Sequence, residues 1–87
     1  MKIELVDPQK HINLKSGQGY LNFLNDAGTR KRILWYCCHH CKGTILASDH
    51  TITEHDDGTI TLEPSLVCPT ENCSGHFFIK KNEVTEA

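Results

Sequence analysis

Five cysteines in two clusters constrain this 87-residue chain more than any other feature of its sequence. The first cluster, YCCHHCKG, contains Cys38-x-x-Cys41, the spacing at which a tight turn directs two thiolates at one metal ion. The second cluster, CPTENCSGH, offers two competing pairs, Cys68 with Cys73 or Cys73 with His76. A structural Zn²⁺ takes four nitrogen or sulfur ligands in a tetrahedron. The two clusters therefore predict one zinc ion per chain. Which two residues of the second cluster bind it is not decided by the spacing.

The size of the chain agrees with a metal-stabilised domain. A chain this short buries only about 60–65% of its unfolded surface, and domains of this size often need disulfides or a metal. The odd cysteine count argues against a closed disulfide framework, and the start of the chain does not resemble a signal peptide. No stretch approaches the ~20 apolar residues of a membrane span. We expect a single domain, residues 1–87, in the reducing cytoplasm and without membrane contact.

The cysteines could have three roles other than binding zinc. Free cysteines often pack as small apolar side chains in a core. An iron–sulfur cluster needs four thiolates, and would call on Cys37 or Cys68. A redox pair at Cys38-x-x-Cys41 would need a thioredoxin-like βαβ pattern, which is missing around it. Because Cys37 precedes Cys38 on a strand, it points to the opposite face, and we expect a core or surface thiol there.

The remaining pattern is that of β-strands. Ile33–Tyr36 and Thr44–Ala47 flank the first cluster, and we expect Trp35 and Tyr36 to pack in the core. Segment 50–64 predicts a hairpin around an Asp57-Gly58 turn, and Phe77–Ile79 predicts the closing strand. Earlier in the chain, several segments are less distinct: Lys2–Val6 as a short strand, His11–Lys15 as a second one, Tyr20–Leu24 as a helix or a strand, and a turn at residues 25–28.

These elements predict a small, mostly-β, zinc-ribbon-like domain with a central β-hairpin. Its core would span residues 31–84. Residues 1–30 would form an N-terminal extension of strands and loop whose structure the sequence leaves open.

A resemblance narrows the choice of ligands. The segment TLEPSLVCPTENCSGHFFIKKNEV, residues 61–84, resembles the end of a family of small uncharacterised phage and bacterial proteins that is known as a domain of unknown function. Its hallmarks are a cysteine knuckle, a Thr-Leu-x-Pro-Ser-Leu run, a Cys-x-x-His pair and an aromatic-aromatic-Ile strand, covering residues 36–84 here. Asn82 suits the last turn of the family, since asparagine tolerates left-handed backbone. The resemblance implies a Cys₃His site, with Cys68 as the alternative fourth ligand to His76; the ligands are Cys38, Cys41, Cys73 and His76.

The net charge of the chain and the four protein ligands of the predicted zinc ion both bear on function. The formal net charge is −2, so the chain lacks the overall basic character of most nucleic-acid-binding domains. A zinc ion with four protein ligands and no catalytic dyad nearby predicts a non-enzymatic module that binds a protein partner of unknown identity. Tyr20 and Phe23 are candidate partner contacts. The resemblance implies a phage or mobile-element accessory protein, acting on a host or phage protein in the host cytoplasm.

Two other functions compete with this prediction. The first is a nucleic-acid-binding zinc ribbon, for which two basic groups are available: Arg30, Lys31 and Arg32, and Lys80 and Lys81. The second is a metal-dependent hydrolase, which would need an open zinc position and a general base. The oligomeric state is open.

Overall fold

The computed structural model describes residues 1–7 and 13–87, and arranges them in two four-stranded sheets. The first sheet has the order β1-β2-β3-β4, with strands Glu4–Leu5, Gln18–Asp26, Thr29–Cys37 and Thr44–Ala47. The second has the order β5-β6-β7-β8, with strands Thr51–Glu54, Ile60–Val67, His76–Lys80 and Glu83–Glu86. Only β1 and β2 pair in parallel; the other named pairs are antiparallel. The prediction of a small, mostly-β domain is confirmed.

The first sheet is built on the long β2–β3 hairpin. Tyr20–Leu24 lies within β2, so of the two predicted conformations the strand is correct. Ala27 and Gly28, with φ of 49° and 83°, form the two-residue turn, within the predicted turn segment. Positive φ at both positions matches the right-handed twist of the paired strands. On β3, Tyr36 is fully buried while Trp35 is half-buried, as the alternation of a strand requires.

The N-terminal residues belong to the core of the fold. Ile3 is buried, and its N–H donates to the carbonyl of Asn82 at 2.8 Å. Lys2 forms a β-bridge with Glu83 at the edge of the second sheet. The expected boundary between the N-terminal extension and the core, at residues 30 and 31, falls inside β3. Strand β2, which was expected in the extension, pairs with β3 in the same sheet. The expected strand His11–Lys15 begins outside the described residues, and residues 13–15 are not in a strand.

The second sheet contains the predicted hairpin and one additional strand. Thr53 lies opposite Thr61 and Ile52 opposite Leu62, with the turn closed by Gly58 at φ 86°. The pairing of β6 with β7 shifts between Leu62 and Leu66, where the Glu63–Pro64 peptide is cis. Phe77–Ile79 is not the closing strand, because β8 follows it after a two-residue turn at residues 81–82.

One hydrophobic core joins the two sheets. Its fully buried members include Leu34, Tyr36 and Ile45 from the first sheet, and Ile60, Leu66, Phe77 and Ile79 from the second. Cys38 and Cys68 belong to the same cluster of buried side chains. Burying one such Leu, Ile or Phe contributes about 1.5–3 kcal/mol. Within the described part of the chain, no helix has the length and apolar character needed to cross a membrane.

Candidate metal centre

Two hairpin loops carry the four candidate cysteine ligands. The first loop, residues 38–43, joins β3 to β4, and the second, residues 68–75, joins β6 to β7. Each loop is closed by an antiparallel pair, Cys37 with Thr44 in the first and Val67 with His76 in the second. The first loop comes from the first sheet and the second loop from the second sheet. The centre therefore lies between the two halves of the fold.

The two loops share a backbone arrangement despite their different lengths. The N–H of Cys38 donates to the carbonyl of Gly43 at 2.8 Å, and the N–H of Cys68 donates to that of Gly75 at 2.9 Å. Each loop thus begins with a cysteine and ends with a glycine. The second cysteine, Cys41 or Cys73, stands two residues before that glycine. The loops are two matched knuckles, one Cys-x₂-Cys and one Cys-x₄-Cys.

The four thiols meet at distances suited to one tetrahedral ion. The sulfurs of Cys38 and Cys73 are 3.9 Å apart, and those of Cys41 and Cys68 are 3.6 Å apart. All four sulfurs lie within 4.8 Å of one another, and none is in a disulfide. A Zn–S bond of about 2.3 Å in a tetrahedron places neighbouring sulfurs about 3.8 Å apart. Cys38, Cys41, Cys68 and Cys73 are positioned to coordinate a metal ion.

Backbone N–H groups turn toward the sulfurs of the first knuckle. The N–H of His40 donates to Cys38 Sγ at 3.4 Å, and that of Gly43 donates to Cys41 Sγ at 3.3 Å. A Cβ at Gly43 would collide with the side chain of Thr70 and press on Cys41 Sγ. Such N–H···S bonds favour thiolate over thiol, which is the form that binds metal.

Hydrogen bonds and burial shift the pKa values of two of the thiols in opposite directions. The pKa of Cys41 is lowered to about 6, because the N–H of Gly43 and the hydroxyl of Thr70 donate to its sulfur. For Cys73, the Gly75 N–H favours the thiolate, but burial and contact with the other three thiols outweigh it and raise the pKa to about 12. One thiolate therefore forms readily, and further negative charge beside it needs a positive ion.

The structure does not bring His76 together with these sulfurs, which favours the alternative fourth ligand, Cys68, over the predicted Cys₃His site. His76 opens β7 and pairs with Val67, while Phe77 and Leu66 form the next pair. Phe77 and Leu66 are buried, so alternation turns His76 and Val67 outward. The Nε2 atom of His76 instead contacts the hydroxyl of Ser65. Cys68, the alternative fourth ligand, lies with the other three cysteines.

The other predicted site residues lie apart from the cysteines or serve the core. Cys37 is buried on the opposite face of β3, where its Sγ donates to the carbonyl of Lys42 at 3.4 Å, and burial raises its pKa. Tyr20 is only 8% exposed, so its side chain offers little surface to a partner, contrary to expectation. Phe23 is 45% exposed, as a contact residue requires.

The two basic groups lie on different sheets. Arg30, Lys31 and Arg32 are on β3 in the first sheet, whereas Lys80 ends β7 and Lys81 opens the following turn in the second sheet. The side-chain Nζ of Lys80 lies 5.9 Å from the ring centre of Phe78.

A repeated Cys-x-Gly in the sequence marks the two knuckles and could have identified the ligands. Cys41-Lys42-Gly43 and Cys73-Ser74-Gly75 occupy equivalent places, so the first cysteine of the second knuckle must be Cys68. In the same alignment, His76 corresponds to Thr44, a strand residue that is also exposed. The contribution of Thr70 has no comparable signal in the sequence.

No protein-family model, curated protein or solved structure matches this chain.

Proposed function

We propose that the protein is a non-enzymatic β module that is stabilised by one zinc ion and binds a protein partner. The convergence of four thiols from two knuckles is the observation that supports this proposal most. Four protein ligands complete a tetrahedral zinc ion and leave no position for an activated water, which distinguishes structural from catalytic sites. A metal-dependent hydrolase is accordingly a weaker interpretation of this centre.

Zinc is the ion that this centre suits best. Thiolate ligands in a tetrahedron select zinc or iron over magnesium and calcium. Zinc needs neither redox chemistry nor cluster assembly to hold two loops together. Elemental analysis of the purified protein should give one zinc per chain, and the protein should be colourless. Stoichiometric iron with visible absorption would replace zinc in the proposal.

The candidate partner surface is the end of the β2–β3 hairpin, residues 23–32, which we call the β2–β3 arm. Here β1 pairs with β2 only at Gln18 and Gly19, and β4 pairs with β3 only from Leu34 to Cys37. Named strands therefore do not extend the sheet beside the arm. Phe23 and Leu24 in the arm are 45% and 41% exposed. Because they are successive residues of a strand, they expose apolar side chains on both faces of the arm, and a strand pair without neighbours leaves both faces open to a partner.

Phe23 is held in an arrangement typical of interface anchors. The guanidinium carbons of Arg30 and Arg32 lie 3.9 and 4.3 Å from the centre of the Phe23 ring. Arg32 is fixed in turn by Glu54, with Nε–Oε2 at 3.0 Å and Nη2–Oε1 at 2.9 Å. Aromatic residues and arginine are enriched at protein interfaces, where prior order reduces the entropy lost on binding.

Nucleic-acid binding is the second candidate function, because the β2–β3 arm carries the first basic group, Arg30, Lys31 and Arg32. Two of its three cations are paired with carboxylates, Arg32 with Glu54 and Lys31 with Asp49 at 3.2 Å. These carboxylates oppose phosphate binding, and the net charge of −2 does so as well. A protein partner is therefore favoured. The resemblance to phage and bacterial proteins supports a role as an accessory protein of a phage or mobile element, although its Cys-x-x-His ligand pair does not carry over.

The test compares capture by three zinc-loaded proteins: the wild type, Phe23→Ser, and the control Phe78→Ser, whose exposed phenylalanine lies on the second sheet. Each serves as bait in lysate from cells that express the protein, with and without nuclease. We expect specific protein capture that survives nuclease, is retained by Phe78→Ser and is lost by Phe23→Ser at unchanged zinc content. Capture that disappears with nuclease and falls steeply with salt would favour nucleic acid instead.

A further inference from the structure

The first knuckle carries a second group of metal-binding side chains beside the four cysteines. His39 and His40 occupy its turn, and the carboxylate of Glu86 on β8 faces both imidazoles. The Nε2 atoms of His39 and His40 lie 3.4 and 2.6 Å from Glu86 Oε1. The three donor atoms all lie within 4.8 Å of one another. Two imidazoles and one carboxylate thus converge on one point at the surface.

The fold places these three side chains together through Phe77. The register of β7 and β8 pairs Phe77 with Glu86, so both side chains lie on the same face of the sheet. The ring centre of Phe77 is 4.7 Å from that of His39 and 6.1 Å from that of His40. The buried Phe77 ring therefore supports both imidazoles, and Glu86 stands beside them at the end of β8.

A buried tyrosine orients one of the two histidines. The Nδ1 atom of His39 is 2.9 Å from the hydroxyl of Tyr36, whose residue is fully buried. Only 15% of the His39 side chain is exposed, compared with 47% for His40. Metal-binding histidines almost always donate their second ring N–H to a fixed acceptor. Tyr36 can serve as that acceptor, while Nε2 of His39 points toward Glu86.

We propose that His39, His40 and Glu86 bind a second divalent transition-metal ion, of which Zn²⁺ and Co²⁺ are examples. Bonds of about 2.0–2.2 Å in a tetrahedron place neighbouring donor atoms about 3.4 Å apart. His39 and Glu86 have this separation. The more exposed His40 is at hydrogen-bond distance from Glu86 and moves outward when the ion enters. Imidazole nitrogens favour such ions over magnesium and calcium.

This second site differs from the cysteine centre in having an open position. Three protein ligands leave at least one coordination position for water or for a donor atom of a bound molecule. The proposal rests on the zinc centre above, because the turn that holds His39 and His40 is fixed by Cys38 and Cys41. The cysteine centre therefore fills first, and the histidine site takes a second, weaker equivalent.

The test is a calorimetric titration of Zn²⁺ into protein that already carries one tightly held zinc. We expect the wild type to bind one further equivalent. His40→Ala and Glu86→Ala should each weaken that second binding about 10-fold or more, since each removes a ligand. Two controls should match the wild type: His76→Ala, an exposed histidine outside the group, and Glu83→Ala, another exposed carboxylate on β8.

The metal content before titration reports on the cysteine centre, and the heat released during titration reports on the histidine site. Failure of one proposal can therefore be distinguished from failure of the other. Absence of a second equivalent at millimolar zinc would overturn the histidine site. Unchanged binding in either His40→Ala or Glu86→Ala would also overturn it, because the three ligands are proposed to act together.

Discussion

Tyr36 links the hydrophobic core to the first knuckle. Its side chain is fully buried, and its ring meets the edge of Phe77 at 5.8 Å between ring centres. Its hydroxyl contacts His39 Nδ1. Burial raises the pKa of Tyr36 to about 12, and nearby Cys38, Cys37 and Glu86 add to this increase. At this residue, core packing and the arrangement of the metal-binding turn depend on the same side chain.

The raised pKa predicts how stability depends on alkaline pH. Because the folded-state pKa of Tyr36 lies above its ordinary value of 10.0, the neutral phenol favours the folded state. That contribution is fully present below pH 10 and is lost as pH rises toward the folded-state pKa. In an absorbance titration at the tyrosinate band, Tyr36 should ionise only near its folded-state pKa of about 12, well above the ordinary value. In denaturant, both tyrosines should titrate near the ordinary value.

Tyr36→Phe is the matched control for this titration, since it should remove the step at highest pH and leave the signal of Tyr20. Full tyrosinate absorbance near pH 10, while circular dichroism still shows the native fold, would contradict the buried position of Tyr36.

At the scale of elements, Asn82 ties the β7–β8 turn to two distant segments. Lys81 and Asn82 have φ of 47° and 66°, the two consecutive positive values of a tight hairpin turn. The side-chain Oδ1 of Asn82 accepts the N–H of Ile60 at 2.7 Å, and its carbonyl accepts the N–H of Ile3. One residue thus joins β6, the N-terminal segment and the last hairpin.

Two substitutions separate the roles of Asn82. Asn82→Gly keeps the left-handed backbone but leaves the Ile60 N–H without its acceptor, which should cost about 1–3 kcal/mol. Asn82→Ala should cost about 1–2 kcal/mol more, because alanine is strained at positive φ. Urea denaturation of the zinc-loaded proteins measures both. Asn25→Ala, at an exposed position of β2, is the control and should change little. Equal stability of Asn82→Ala and the wild type would contradict this role.

In this protein, the sequence predicts single strands and turns better than it predicts which strands pair with one another. The left-handed turn at Asn82 follows from residue type, and the hairpin around Gly58 follows from strand alternation and turn chemistry. Strand β8 has no clear signal in the sequence, because Glu83–Glu86 is polar with a single buried residue, Val84. Its main partner is β7, across the two-residue turn at residues 81–82, while residues 1–3 pair with its other edge. Four mostly polar residues show too little hydrophobic alternation to mark a strand in the sequence.

The sequence also did not decide between Cys68 and His76 as the fourth metal ligand. Cys68 and His76 both stand at acceptable ligand spacing from Cys73. Only the start of β7 decides between them, because a residue inside the strand must alternate with the buried Phe77. The two cysteine clusters were predictable, whereas this boundary was not.

For the whole molecule, the metal would connect the two sheets. Cys38 and Cys41 belong to the first sheet's hairpin, and Cys68 and Cys73 to that of the second. A structural zinc site contributes about 10–16 kcal/mol in zinc-finger peptides, while a typical domain is stable by about 5–15 kcal/mol in total. The metal is therefore expected to decide whether the small core between the sheets remains folded.

Chelation should consequently unfold the protein. With excess chelator, zinc release and loss of the β signal in circular dichroism should occur together, and added zinc should restore both. Cys41→Ser should behave like the chelated wild type, because it removes one ligand of four. A cooperative thermal transition at the same temperature with and without zinc would show that the core is sufficient by itself.

The central claim, a four-cysteine zinc centre between two knuckles, is tested most directly by X-ray absorption at the zinc edge of protein carrying one equivalent of zinc. We predict four sulfur neighbours at about 2.3 Å and no nitrogen neighbour. His76→Ala should leave this spectrum unchanged, whereas Cys68→Ser should no longer hold one zinc per chain. A spectrum with three sulfurs and one nitrogen, in which the nitrogen disappears in His76→Ala, would contradict the claim.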